Sequence, residues 1–498
     1  MVTNRVPVGT GLLRQFGDGI RSPTIIERLQ NGLIGKDAAV EGPFGSKPLL
    51  YADYVASGRS LLQVEQFVMD HVLPYYANSH TEASYCGGFM TRMRREARSV
   101  IGELCGADDR YAVIFSGSGA TAGLNRLVTL LGVSAAVRSG KRARVIIGPY
   151  EHHSNILPWR ESGAEIVELP ESTNGGPDVA ALDHALSDVA DIGCVVCTFS
   201  AASNVTGIIA DVRSLTRKVK AVGAKMVWDY AGAAPYLPIN MAPEPGAEID
   251  AAVVSPHKFI GGPGASGVLI VRRDAVVAAK PSWPGGGTVK FVSATQHDYS
   301  DKVEVREEAG TPNVVGDIRA ALAFLVKDAI GAEYMQKRDD ELAQRAIEAW
   351  RNCPSIELLG SLTARRLPIF SFRIRNGRGG YVHQQLVTRM LSDRFGIQAR
   401  GGCACAGPYA LRLLDIDAAE SERMRQAILA GDEMMKPGFT RLNFSVLLSE
   451  EKVQLLLDAV IELAGDAAGF ESRYDFDSNH AIFYPRPPHE KQSLSIEN

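Results

Sequence analysis

A series of short apolar runs separated by helical stretches constrains this chain more than any other feature. The runs are "YAVIF" (111–115), "RVIIG" (144–148), "AEIVEL" (164–169), "CVVCTF" (194–199), "MVWD" (226–229), "AAVVS" (251–255) and "GVLIVR" (267–272). Each has the length of a buried strand, and strands alternating with helices build a mainly parallel sheet covered on both faces. After about residue 310 the pattern changes. "DIRAALAFLVKDAIGA" (317–332) and "VHQQLVTRMLSDRF" (382–395) carry helical periodicity, whereas "IFSFRI" (369–374) reads as a strand. The last helix is expected over "EEKVQLLLDAVIELAG" (450–465), capped by Ser449. The expected class is α/β: a large domain with a mainly parallel sheet, then a smaller C-terminal α+β domain. The expected divisions are an N-terminal extension (1–47), the large domain (48–310), the small domain (311–465) and a tail lying on the surface (466–498).

Composition narrows the function classes. Of 498 residues, 45% are hydrophobic and 22% charged, ordinary for a protein with a large buried core. The net charge of -4, with no long run of one sign, argues against nucleic acid or an anionic membrane as the main partner. The first residues lack the apolar core of a signal peptide, and no stretch reaches the roughly 20 apolar residues of a membrane span. A cytoplasmic location is expected. The 7 cysteines are too few and too odd in number for a disulfide framework. Cys194 and Cys197 stand three apart on an expected strand, so they point to opposite faces and read as core rather than as a metal pair. Cys86, Cys105 and Cys353 stay unassigned, and no metal site is expected. Cys403 and Cys405, in "ARGGCACAGP" (399–408), lie among glycines and a proline that suggest an exposed, irregular loop.

Sites in open α/β sheets form at the C-terminal ends of the strands. After "YAVIF" comes "SGSGATAGLN", a turn that should open a helix whose free N–H groups suit a phosphate. "EHHSN" follows "RVIIGPY", Asp229 ends "MVWD", and "PHK" follows "AAVVS". Taken singly, an Asp at a strand end also serves as a helix cap, and a His beside a Lys also sits on surfaces. Together, in this order, they suit one cofactor, pyridoxal phosphate (PLP). It needs a lysine for its imine, a carboxylate on its pyridine nitrogen, a phosphate cup and a flat group against its ring. Lys258 would carry it and shuttle protons. Asp229 would keep the ring nitrogen protonated. His152 would stack on the ring, while Ser255, His257 and the backbone near Ala120 and Thr121 hold the phosphate.

Six segments carry a resemblance: "EHHSNILPW" (151–159), "SNVTG" (203–207), "WDYAGA" (228–233), "SPHKFIGGPGASG" (255–267), "GGGTV" (285–289) and "EAGTPN" (308–313). Over roughly residues 48–465 the chain resembles the class V aminotransferase-fold enzymes, and within them the group II cysteine desulfurases and selenocysteine lyases. The resemblance implies a PLP fold-type I large domain, a small C-terminal domain and a homodimer acting on a small amino acid. It places Asn204 near the ring hydroxyl, and Thr288 in the segment by which a neighbouring subunit reaches the phosphate. Arg400, Gly402 and Cys405 match the family's arginine, glycine and nucleophilic cysteine. Arg441 matches the arginine that grips the substrate carboxylate, with Arg400 also at the substrate. The implied reaction gives alanine and a persulfide on Cys405, with a sulfur-accepting protein as a further partner; the role of Cys403 stays open. Two departures are visible: Gly232 stands where the family has glutamine or histidine, and residues 406–438 are longer than in a plain desulfurase. Other class V reactions (β-lyase, racemase or epimerase, aminotransferase) and a PLP-bound sulfur carrier with little turnover therefore remain alternatives.

Overall fold

In a computed structural model of the protein, residues 11–79, 81–189 and 191–486 are described. Residues 1–10 of the expected extension and 487–498 of the expected tail lie outside them. The elements that matter here begin with α1 (Leu12–Ile20), α2 (Tyr85–Leu104), β1 (Tyr111–Gly117), α3 (Gly119–Leu130), β2 (Ala143–Ile147), β3 (Glu165–Glu168), β4 (Cys194–Ser200), β5 (Lys225–Asp229), β6 (Ala251–Val254), β7 (Gly267–Arg272), α4 (Val314–Ile330) and α5 (Ala332–Trp350).

The apolar runs pair into one sheet of 7 strands in the order β1-β7-β6-β5-β4-β2-β3. Only β7 runs antiparallel to its two neighbours, and the other pairings are parallel. Successive side chains feed opposite layers: on β4, Val196 enters one apolar cluster and Cys197 the other. Cys194 and Cys197 thus lie on different faces, and burial pushes the Cys197 thiol well above its ordinary range. Helices α1, α2 and α4 pack together on one side. Glu308 of "EAGTPN" is structural, accepting from the Arg98 guanidinium at 2.8 Å and from the Phe115 N–H at 2.8 Å, which ties β1 to α2.

The small domain is an antiparallel sheet in the order β8 (Ile356–Leu358), β9 (Ile369–Ile374), β11 (Phe439–Asn443), β10 (Arg400–Gly402). Helices α6 (Gln384–Phe395) and α9 (Glu450–Gly465) share its core with α5. Ser449 caps α9, accepting from the Lys452 N–H. Trp350 is wholly buried against Phe370, Phe372 and Phe444, and its indole N–H donates to the Leu457 carbonyl at 3.1 Å. The long stretch 406–438 between the cysteine loop and Arg441 contains α7 (Gly407–Leu413) and α8 (Ala418–Leu429). The described part of the expected surface tail is folded: a hairpin of β12 (Tyr474–Asp477) and β13 (Ile482–Pro485) buries Tyr474 and Phe483 in the small domain's core. Its apolar anchors are single residues spaced too irregularly to show a period.

Candidate active site

The parallel strands deliver their C-terminal ends to one edge of the sheet, and a cavity of about 200 Å3 opens there. β1 leads into the turn before α3, which brings Gly119, Ala120 and Thr121 to the wall. β2 is followed by His152, β4 by Asn204, β5 ends in Asp229, and β6 runs into the tight turn carrying Ser255, His257 and Lys258; all of these line the cavity. Gly119 has φ +59°, and a methyl group there would meet Ser255 Oγ at 2.8 Å and His257 Cε1 at 3.0 Å. Only glycine keeps this corner open. The Ala120 N–H donates to Ser255 Oγ at 2.9 Å. Ser154 stands 2.7 Å from Thr121 Oγ1 and 3.1 Å from His152 Nδ1, fixing the imidazole to the helix start.

Burial sets the electrostatics. It pushes the Lys258 amine down to about 8, with Asp229 pulling up and Arg441 adding to the fall. Asp229 is raised by burial, opposed by the Ala231 N–H at 2.8 Å and by Lys258. His152 and His257 are each lowered to about 4, by burial first and then by the Lys258 charge, so both rings are neutral at pH 7. Below the cavity, Glu151 accepts from the Ser200 N–H at 2.8 Å, from Ser200 Oγ at 2.8 Å and from Asn155 Nδ2 at 2.5 Å. Its burial still outweighs these bonds and pushes the carboxyl up to about 8.

The other expected residues fall around this cavity or away from it. Arg441, on β11, is buried and donates from Nη1 to the Asn204 carbonyl at 2.9 Å. Arg400, on β10, reaches Asp53 rather than the cavity wall. Cys405 is exposed, on a loop fixed at three points. Asn204 Nδ2 donates to the Ala404 carbonyl at 2.9 Å, the His153 N–H to the Cys405 carbonyl at 2.8 Å, and the Gly407 N–H to His153 Nε2 at 3.0 Å. These bonds hold Ala404 (φ 52°) and Cys405 (φ 54°) in left-handed backbone, which costs about 1–2 kcal/mol per residue. Cys403 is half-buried against the apolar cluster that contains Tyr150 and Tyr409. Thr288 is buried away from this cavity and donates to the Gly285 carbonyl at 2.7 Å. Gly232 lines the cavity, and a methyl group there would find only ordinary contacts at 3.5 Å, so sterics do not demand glycine. Asp53, Glu151 and His153 went unassigned in the sequence: the partners of Asp53 stand 347 and 388 positions away and Gly407 stands 254 from His153, while Glu151 meets Ser200 only once β2 pairs with β4.

The residues fit PLP. The glycine-cleared corner at the start of α3 offers N–H and hydroxyl donors for a phosphate, and Lys258 and Asp229 share the cavity as a buried amine and a buried carboxylate. Among the described residues no group of three or more His, Cys, Asp or Glu is arranged to hold a metal ion. No helix among them is long and apolar enough to cross a membrane. A second cavity of about 340 Å3, between α8 and the small-domain sheet, contains none of the strand-end residues.

Residues 50–456 match the family model Aminotransferase class-V. A cysteine desulfurase from Pectobacterium atrosepticum is 30% identical over 372 residues, covering 73% of this chain and 85% of that protein. A probable cysteine desulfurase from Streptomyces coelicolor is 27% identical over 370 residues, covering 73% and 85%. Among solved structures, the apo cysteine desulfurase from Thermococcus onnurineus superposes with a TM-score of 0.70 at 23% identity, covering 88% of this chain and 98% of that one. At that identity the likeness concerns the fold.

Proposed function

The chain belongs to the aminotransferase class-V family as a cysteine desulfurase-like member, and from that premise we propose that it binds PLP and takes sulfur from L-cysteine. The products are L-alanine and a persulfide on Cys405. The observation that carries this reading is the joint placement of Lys258, Asp229 and His152 in one cavity whose wall residue Asn204 also holds the Cys405 loop.

When bound, PLP supplies an electron sink for charge that develops at the substrate's α-carbon. Asp229 would hold the proton on the ring nitrogen, and the neutral His152 imidazole would pack on the ring. Ser255, His257, Thr121 and the Ala120 backbone would hold the phosphate, and Asn204 would serve the ring hydroxyl. The Lys258 amine, brought near neutrality by burial, takes a proton from the α-carbon and returns one to the product. Arg441 grips the α-carboxylate, assisted by Arg400. The Cys405 sulfur then attacks the substrate sulfur: the C–S bond breaks, an S–S bond forms, and the two thiols become one persulfide and the methyl group of alanine. L-selenocysteine is the other donor this reading admits.

An exposed nucleophile suits hand-over to a sulfur-accepting protein. A homodimer accounts for the exposed apolar side chains of Trp283, Phe291 and Val292 and would bring this segment, rather than the buried Thr288 hydroxyl, towards the partner's cofactor site. Free thiols throughout suit the cytoplasm. The test is covalent labelling. Borohydride reduction of the PLP-loaded protein followed by peptide mapping is expected to mark Lys258, and Lys258→Ala should lose the visible absorbance. A label on another lysine contradicts the assignment.

A further inference from the structure

Two guanidiniums that lie outside the cavity wall but close enough to act on the Lys258 charge share one carboxylate. Asp53 accepts from Arg441 Nη2 through Oδ1 at 2.9 Å and from Arg400 Nε through Oδ2 at 2.9 Å. Arg441 is buried, whereas the Arg400 side chain is 52% exposed. The Asp53 backbone is fixed on both sides. The Ala52 N–H donates to the Gln398 carbonyl at 3.0 Å, the Asn443 N–H to the Ala52 carbonyl at 2.9 Å, and the Val55 N–H to Asn443 Oδ1 at 3.2 Å. Further along, the Gly58 N–H donates to the His257 carbonyl at 2.9 Å, next to Lys258. The carboxylate is therefore held in place from the small-domain sheet on one side and the lysine turn on the other.

The charge balance follows. Two arginines and one aspartate leave a single surplus positive charge, enough for one carboxylate. With Lys258 and Asp229 committed to the cofactor, a second anion on the ligand would meet the Asp53 charge with no cation to spare, and like charges repel more strongly in a partly dry pocket than in water. We infer that Asp53 determines specificity here: it cancels one arginine, so that the pocket takes amino acids with one carboxylate and an uncharged side chain and disfavours dianionic ones. This rests on the reading of Arg441 as the residue that binds the substrate carboxylate.

Propionate and succinate, mono- and dianion at pH 7, probe this without turnover when titrated calorimetrically into the PLP-loaded protein. Asp53→Asn is expected to shift the succinate-to-propionate affinity ratio by about tenfold or more in favour of succinate. Adding Arg400→Gln, which restores a single surplus charge, should bring the ratio back towards that of the wild type. A ratio that does not move, or that the second substitution does not restore, overturns the inference. If Asp53→Asn fails to fold, Arg400→Gln alone decides. It leaves the cluster neutral and should weaken propionate by about threefold or more, since half-exposed charges are partly screened; unchanged binding overturns the proposal. L-cysteine turnover by the wild type is read alongside. Turnover with an unmoved ratio removes only the role of Asp53, and a shifted ratio without turnover keeps that role and removes the desulfurase reading.

Discussion

Glu151 shows how far burial governs single residues in this site. Its folded pKa of about 8 lies above the ordinary 4.5 of a glutamate. Between those values the folded state binds the proton that the unfolded state has released, so stability from this group is whole below about pH 4.5 and is lost as pH rises through about 8. Glu151→Gln keeps the shape and removes the titration. Its Tm, measured in steps from pH 5 to 8, is expected to gain on the wild type as pH rises, and a constant difference would contradict the raised pKa. The strand-end residues Asp229, Ser255, His257 and Lys258 were legible in the sequence because each ends an apolar run or follows one within three residues. Asp53 was not legible: it follows no such run, and its arginines lie 347 and 388 positions away. The glycine at 119 could be read as a turn, but not that Ser255 and His257 fill the space beside it.

Among the elements, the strands of the large sheet were readable because each is a continuous apolar run bounded by polar turns. The direction of β7 was not, since a strand buried on both faces has the same composition whichever way it runs. The segment from Leu50 to Gly58 was equally silent. Its two-residue strand pairs with Ile397 and Gln398 of the small domain, and its far end meets the lysine turn. Gly58 is the tight point: a methyl group there would lie 1.8 Å from the Phe259 carbonyl oxygen, and neither backbone can yield without moving Lys258. Gly58→Ala should therefore cost about 1–3 kcal/mol, as overpacking does. The checks are a lower denaturation temperature and weaker PLP capture at Lys258. Wild-type values for both would show that the segment does not brace the lysine turn.

At the scale of the whole molecule, the proposed reaction draws on two parts of the fold. In that proposal the strand-end cavity would hold the cofactor, and Arg441, Arg400 and the Cys405 loop come from the small-domain side, where Arg441 donates to the Asn204 carbonyl and the loop is docked by Asn204 and His153. Nothing in the sequence pattern alone placed Cys405 beside that cavity, because the contact joins loops about 200 residues apart; the resemblance to the family is what singled it out. The helices α7 and α8 that lengthen this region leave the cysteine exposed, and α8 buries none of its residues. The most direct test of the account is to incubate the PLP-loaded protein with L-cysteine and no other thiol, then measure alanine while mapping persulfide by mass spectrometry. The account predicts alanine matched by a persulfide on Cys405, and neither product from Cys405→Ser. Full alanine formation by Cys405→Ser, or a wild-type protein that yields another product from cysteine, would contradict it.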